Sequence, residues 1–318
     1  MRPSARLWLA GGGFAIAAAV APLLQPGSSS AHRQDAASAT VGSAEHAGRS
    51  ITIMATGEIL PHPSVVAHAR TATGYDFAPM FADLTPLLQA ADLAICHLEV
   101  PVAPDGEALS GYPVFGIPAE IGAGIHAGGW DRCSTASNHS NDKGTAGIAA
   151  TLNALDGAGV DHSGTARTPE EAARVPIVSV QGLDVAHLSY TWGFNGTAPA
   201  QPWMANVIES SAVLADARAA KAAGADVVVV SLHWGDEYDH VGNEQQRALA
   251  TRLLASPDVD LLVGTGPHVL QPVLSSNGKF ALLSLGNVVS NQGVEHPDTY
   301  DGAVAAVTFT VAADGTVH

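Results

Sequence analysis

Carboxylate, amide and imidazole side chains stand just past a series of short apolar runs in this sequence. Residues 51–56 lead into Gly57-Glu58, residues 92–97 into Leu98-Glu99, and residues 130–135 into Ala136-Ser137-Asn138-His139. Residues 226–232 lead into His233-Trp234-Gly235-Asp236-Glu237, and residues 259–263 into Gly264-Thr265-Gly266-Pro267-His268. Carboxylate, amide and imidazole are the donor set that a divalent transition ion accepts. Any one of these residues alone reads as an ordinary satisfied polar side chain. Together they read as a metal site.

For that reading the runs must be strands that end on one edge of a sheet. Each is short, apolar and bounded by turn residues, and helical spacing intervenes at 80–90, 119–127, 144–155, 210–223 and 244–255. On the third of these, Ile148, Leu152 and Leu155 share a face. A hairpin is expected from 175–180 and 185–190 around Gln181-Gly182. The last third, with runs at 269–274, 280–285 and 303–311, reads as β-rich and antiparallel. Repeated strand–helix alternation implies an α/β fold whose parallel sheet is flanked by helices, with a second sheet section from the tail. In such sheets ligands bind just outside the carboxyl ends of the strands, which is where these donors fall.

The chain has 318 residues, with Asp+Glu 30 against Lys+Arg 14 and a net charge of −16. Hydrophobic residues make up 47% and charged residues 14%, which excludes intrinsic disorder. The sign of the charge and the lack of a basic stripe exclude nucleic-acid binding by phosphate neutralisation. Arg2 and Arg6 precede an apolar stretch over 7–24, and Ser29-Ser30-Ala31 follows, so 1–31 reads as a signal peptide or an N-terminal anchor. Residues 32–50 read as a disordered tether, and 51–318 as the folded domain. The expected location is extracytoplasmic, secreted or held to the membrane by the N-terminal segment alone. Cys96 and Cys133 are the only cysteines. An exported protein can oxidise them, and a pair of buried thiols is the equal alternative.

Taken as a set, these motifs resemble the CapA family, associated with bacterial poly-γ-glutamate capsule synthesis, and its actinobacterial branch in particular. The resemblance runs over 51–291 and rests on Thr56-Gly57-Glu58-Ile59-Leu60, residues 92–99, Ala136-Ser137-Asn138-His139-Ser140, residues 231–238, residues 264–271 and Ser284-Leu285-Gly286-Asn287. It implies a calcineurin-like metallophosphoesterase sandwich of two β-sheets flanked by helices, holding one or two divalent ions. Mn, Fe and Zn all suit such donors. By the same resemblance Glu58 and His268 are ligands of a first metal, Glu99 bridges, and Asn138 and His233 serve a second. Glu58 stands where Asp is usual, a difference of about 1.5 Å of reach. His139 would protonate the leaving group of a phosphoester or amide hydrolysed by water activated between the cations. Glu237 and Tyr238 are expected to orient His233, and His97 and Asn287 to support ligands or meet substrate. Gly266 stands where the pattern has another His, so a ligand of the second metal is lost there, weaker or absent binding of that metal is expected, and Gly266→His is the variant that tests it. The implied partners are an anionic cell-surface polymer or its precursor and other capsule-synthesis proteins.

Other motifs are weaker. Residues 122–127 fit a G-x-G-x-x-A dinucleotide pattern but follow no convincing strand. Ser140 to Lys143 fit S-x-x-K, without the K-T-G partner of acylating serine enzymes. Trp192, Phe194 and Trp203 lie in a Gly/Pro-rich stretch that either faces substrate or packs on itself. Besides a hydrolase, the sequence admits a degenerate member that binds polymer without turnover, and a small-ligand-binding module.

Overall fold

The computed structural model describes residues 48–312 and 316–318. The signal-peptide or anchor reading and most of the tether lie outside them. Residues 48–50 already belong to the fold rather than to a tether. The Gly48 N–H donates to the Val311 carbonyl, and Ser50 opens the first strand.

In chain order the strands are β1 (Ser50–Ile59), β2 (Leu93–Leu98), β3 (Arg132–Ser134), β4 (Asp161–Ser163), β5 (Ile177–Val180), β6 (Leu183–Thr191), β7 (Val227–His233), β8 (Leu261–Thr265), β9 (Val273–Ser276), β10 (Lys279–Leu282), β11 (Asn287–Val289) and β12 (Val304–Thr310). The helices are α1 (Pro63–His68), α2 (Ala78–Phe81), α3 (Thr85–Leu88), α4 (Ile121–Gly128), α5 (Gly144–Ala158), α6 (Pro169–Ala172), α7 (Ser210–Ala222) and α8 (Glu244–Leu254). The helix expected over 80–90 is instead two single turns, α2 and α3, each begun by a proline. Proline favours a helix start and breaks a helix interior, so Pro86 divides what periodicity alone would join.

The described strands form two six-stranded sheets. One runs β11-β1-β2-β3-β4, with β12 also paired to β1, and the other β5-β6-β7-β8-β10-β9. The tail is not uniformly antiparallel. β12 is antiparallel to β1 and β9 to β10, but β11 runs parallel to β1 and β10 parallel to β8. The expected hairpin forms as β5 and β6, antiparallel from Val180↔Leu183.

Alternating side chains build three apolar layers. Ile51, Ile53, Ile95, Val185, Val227 and Val229 meet between the sheets. Met54, Cys96, Cys133, Phe81, Ile125 and Leu155 join the first sheet to α2, α4 and α5. Val228, Val230, Val213, Ala217 and Leu253 join the second to α7 and α8. The four valines at 227–230 are buried on both faces, which is why that run is apolar without alternation. Cys96 and Cys133, in register on β2 and β3 with Cα atoms 4.5 Å apart, are joined as a disulfide. No helix among the described residues is long and apolar enough to cross a membrane.

Candidate metal centre

Parallel pairing of β1, β2 and β3, and of β7 and β8, sets their carboxyl ends along one margin of the sandwich. Glu58 lies in the last turns of the pleat of β1, where the register with β2 shifts between Ala55 and Glu58. Gly57 permits this, because a Cβ there would stand 1.9 Å from the Gly286 carbonyl oxygen. Glu99 follows β2, Asn138 and His139 sit in the loop after β3, His233 ends β7 and His268 follows β8.

Glu58, Glu99 and His268, all buried, place one potential ligand atom each within 4.8 Å of one another. One Glu58 oxygen accepts the Gly266 N–H and the other pairs with His268 Nδ1. His268 Nδ1 is 3.9 Å from Glu99 Oε2. Glu99 itself is 1% exposed, yet neither carboxylate oxygen meets a donor among the described residues, and the buried Asn138 Oδ1 meets none either. Buried acceptors that no N–H or O–H reaches are what a cation would satisfy, so the residues fit a metal.

The electrostatics of the metal-free centre follow. Burial opposes a proton on His268, but Glu58 and Glu99 outweigh it and raise the imidazole to about 10. Burial would likewise raise Glu58, but the His268 charge and hydrogen bond hold its carboxyl below the ordinary value. Glu99 is pushed well above its ordinary value by burial, with the neighbouring Glu58 charge adding to the effect. A protonated His268 paired with Glu58 thus occupies the place of positive charge, with Glu99 3.9 Å away.

His233 and His97 are held neutral by burial, His97 down to about 3. Their tautomers follow from the hydrogen bonds. Ser134 Oγ donates to the Cys96 carbonyl at 3.2 Å, so at 2.8 Å it accepts from His97 Nδ1–H. His97 Nε2 is then an acceptor, and it takes the His233 Nδ1–H at 3.0 Å. That assignment leaves the lone pair of His233 on Nε2, the form a metal ligand requires. His97 therefore orients His233. Glu237 stands close enough for its charge to act on His268 and Glu99, while the Tyr238 N–H donates to the Pro267 carbonyl and its ring stacks on His296 at 3.9 Å and sits 6.3 Å from His268. Asn287 Oδ1 is 3.4 Å from His268 Nδ1, and its Nδ2 donates to Ser290, Gln292 and the Thr299 carbonyl. Sequence reasoning named His97 but not the Ser134 that fixes its proton. A serine two residues past Arg132 carries no local signal.

His139 is buried with its Nδ1 2.7 Å from Asp142 Oδ2 and its Nε2 3.3 Å from Asn195 Nδ2. The Phe115 N–H also donates to Asp142 at 2.7 Å, and the Phe115 ring meets the imidazole edge-on. The loop that presents Asn138 and His139 is held by hydroxyls. Ser137 Oγ donates to the Glu99 carbonyl, and Ser140 Oγ donates to the carbonyls of Thr135 and Ser137. Ser140 is thereby a structural hydroxyl, not an acylating one. Residues 122–127 lie within α4, with Gly122, Gly124 and Ile125 buried, so the dinucleotide pattern has no strand-to-helix turn.

Gly266 supplies no side-chain ligand, and the backbone around it leaves no room for one. Its φ is +114°, and a Cβ would meet the Trp234 carbonyl oxygen at 2.4 Å. No side chain fits there, so the position contributes its N–H to Glu58 instead of a side-chain ligand. Gly266→His cannot restore metal by simple replacement.

A two-sheet α/β sandwich carrying a carboxylate–imidazole–amide centre at its strand ends has the metallophosphoesterase fold. The NAD nucleotidase of Haemophilus influenzae shares that fold, with a TM-score of 0.53 and 14% identity over 85% of this chain and 55% of that one. Residues 52–292 match the family of bacterial capsule synthesis proteins PGA_cap, and the chain belongs to that family. The PGA biosynthesis protein CapA of Bacillus subtilis is 34% identical over 171 residues, 50% of this chain and 42% of that protein. This chain therefore spans less than half the length of that relative. A probable polyglutamine synthesis accessory protein of Mycobacterium tuberculosis is 25% identical over 299 residues, 80% of this chain and 76% of its own.

Proposed function

We propose that this chain is an exported, metal-dependent hydrolase of capsule or cell-surface polymer synthesis, cleaving a phosphoester or amide in an anionic polymer or its precursor. The observation that carries this reading is the buried Glu99 carboxylate and Asn138 carbonyl, which lack any donor among the described residues beside the Glu58–His268 pair. Glu58, Glu99 and His268 would hold one divalent ion, with Asn138 and His233 available to a second. Such an ion would supply the positive charge that stabilises an anion developing at phosphorus or carbonyl carbon. His139, with Nδ1 on Asp142 and Nε2 beside the Asn195 amide nitrogen, would protonate the leaving oxygen or nitrogen. A net charge of −16 opposes a polyanion, so substrate binding depends on local cations. The basic and apolar pattern of residues 1–31 supports export.

The test is elemental analysis of Mn²⁺-supplied protein together with hydrolysis of bis-p-nitrophenyl phosphate and a γ-glutamyl anilide. At least one ion per chain is expected, with turnover lost in His139→Ala while metal is retained. Absence of metal would sink the ligand assignment. The second reading, a polymer-binding member without turnover, is favoured by Gly266, which offers a backbone N–H where a ligand is expected. Metal without hydrolysis, with binding of γ-linked glutamate oligomers, would establish it instead.

A further inference from the structure

A cavity of about 580 Å³ lies away from the metal centre, walled by residues of β3, β4, β5 and β6. β5 pairs only with Leu183–Ala186 of β6, the end of β6 is bridged at Thr191 by Val207, and β4 ends the opposite sheet among the described residues. The walls include Arg132, Thr165, Arg174, Tyr190, Trp203 and Asn206. Arg132 is in register with Ile95, whose side chain lies between the sheets, whereas Cys133 faces the helices. Alternation therefore sends the Arg132 guanidinium into the inter-sheet space. From Ile95 to Glu99 is four residues of β2 and its extension, roughly 13 Å at strand rise, so this is not the metal site.

Arg132 is 2% exposed, and its Nε and Nη1 are buried without a hydrogen-bond partner among the described residues. Burial lowers the guanidinium to about 10, with the charges of Asp161 and Asp131 only partly opposing it. The nearby Arg167, by contrast, is saturated by Glu171, Asp156 and Asn153. A chain with so few cations thus commits one to the wall of a cavity, with two of its donor nitrogens unpartnered among the described residues and its charge only partly offset by Asp161 and Asp131.

We propose that this cavity binds a small organic monocarboxylate, its carboxylate on Arg132 and its body against Tyr190 and Trp203. The planar guanidinium fork matches a carboxylate. Asp161, Asp216 and Asp156 on the same walls oppose a dianion such as phosphate. The volume suits a small molecule, and the aromatic walls suit an apolar body.

The experiment uses the full chain, metal-loaded and metal-free, titrated with acetate, hexanoate, benzoate and inorganic phosphate by calorimetry and tryptophan fluorescence. Hexanoate or benzoate should saturate and raise Tm equally in both metal states, with phosphate weaker. Arg132→Met should raise Kd by about tenfold or more, as expected for loss of a charged pair, and leave metal content unchanged. Ala219→Phe, which fills the cavity and spares Arg132, should also abolish binding, and it serves if Arg132→Met does not fold. No saturation by any carboxylate, equal binding in both variants, or preferred binding of phosphate would overturn the proposal.

Discussion

Replacing Glu99 with Gln should stabilise the metal-free protein and destabilise the metal-supplied one. Glu99 is 1% exposed, has no donor on either oxygen among the described residues, and stands 3.9 Å from the His268 Nδ1 that pairs with Glu58. At the 3.9 Å between His268 and Glu99, Coulomb attraction at an effective dielectric of 20 is about 4 kcal/mol. Repulsion from the adjacent Glu58 carboxylate is of the same order, so these two largely cancel. What remains is the cost of burying Glu99, met in part by raising its affinity for a proton. The amide escapes that cost and offers an N–H toward Glu58. A net gain of about 1–2 kcal/mol in EDTA is expected, a rise in Tm of roughly 2–8 °C for a domain of this size. In Mn²⁺ at 100 times the parent Kd, the parent gains about 2.7 kcal/mol from binding and the variant should gain almost none. The assay is calorimetric melting of both proteins, with EDTA and with Mn²⁺. A variant less stable than its parent in EDTA, or one keeping the parent's metal-induced shift, would refute the reasoning.

Metal affinity should rise with pH, because His268, raised to about 10, carries a proton that a metal ion must displace. Between pH 7 and 9 the Mn²⁺ association constant should climb about tenfold per unit for one displaced proton, and more steeply if Glu99 also carries one. Titration calorimetry in buffers of different ionisation enthalpy counts those protons, and a flat profile would contradict the assigned charge state. Gly266→Ala should cost about 1–3 kcal/mol, since φ is +114° and the new Cβ would strike the Trp234 carbonyl; Gly266→His should lose stability without gaining metal, measured by melting and elemental analysis. His97→Phe removes the acceptor that fixes the His233 tautomer, and Mn²⁺ affinity should fall by roughly 10–100-fold while the melting point in EDTA changes little. A collapse of the metal-free fold in that variant would mean that His97 acts through packing.

Local sequence revealed most of the sandwich because strand and helix periods are local properties. The all-valine run of β7, the amphipathic α5 and the hairpin turn at Gln181-Gly182 each announce themselves within a few residues. β4 does not: Asp161–Ser163 is three residues long, carries Asp and His, and exists because β3 offers a free edge. β11 is equally short, and it forms because the chain returns beside Glu58.

The sequence by itself determined which side chains reach the working margin, since donors placed just after strand-forming runs must emerge at strand ends in a parallel sheet. It also determined the absence of a basic surface and the family resemblance. Only the tertiary structure decided how those donors are paired. The Glu58–His268 pair spans 210 residues, and the relay from Ser134 through His97 to His233 crosses from one sheet to the other. Whether position 266 could hold a ligand depended on the backbone of Trp234, a neighbour remote in sequence. The direction of Arg132 depended on its register with Ile95. Register, close approach and shared protons are properties of two or more segments at once, and no period within one segment encodes them.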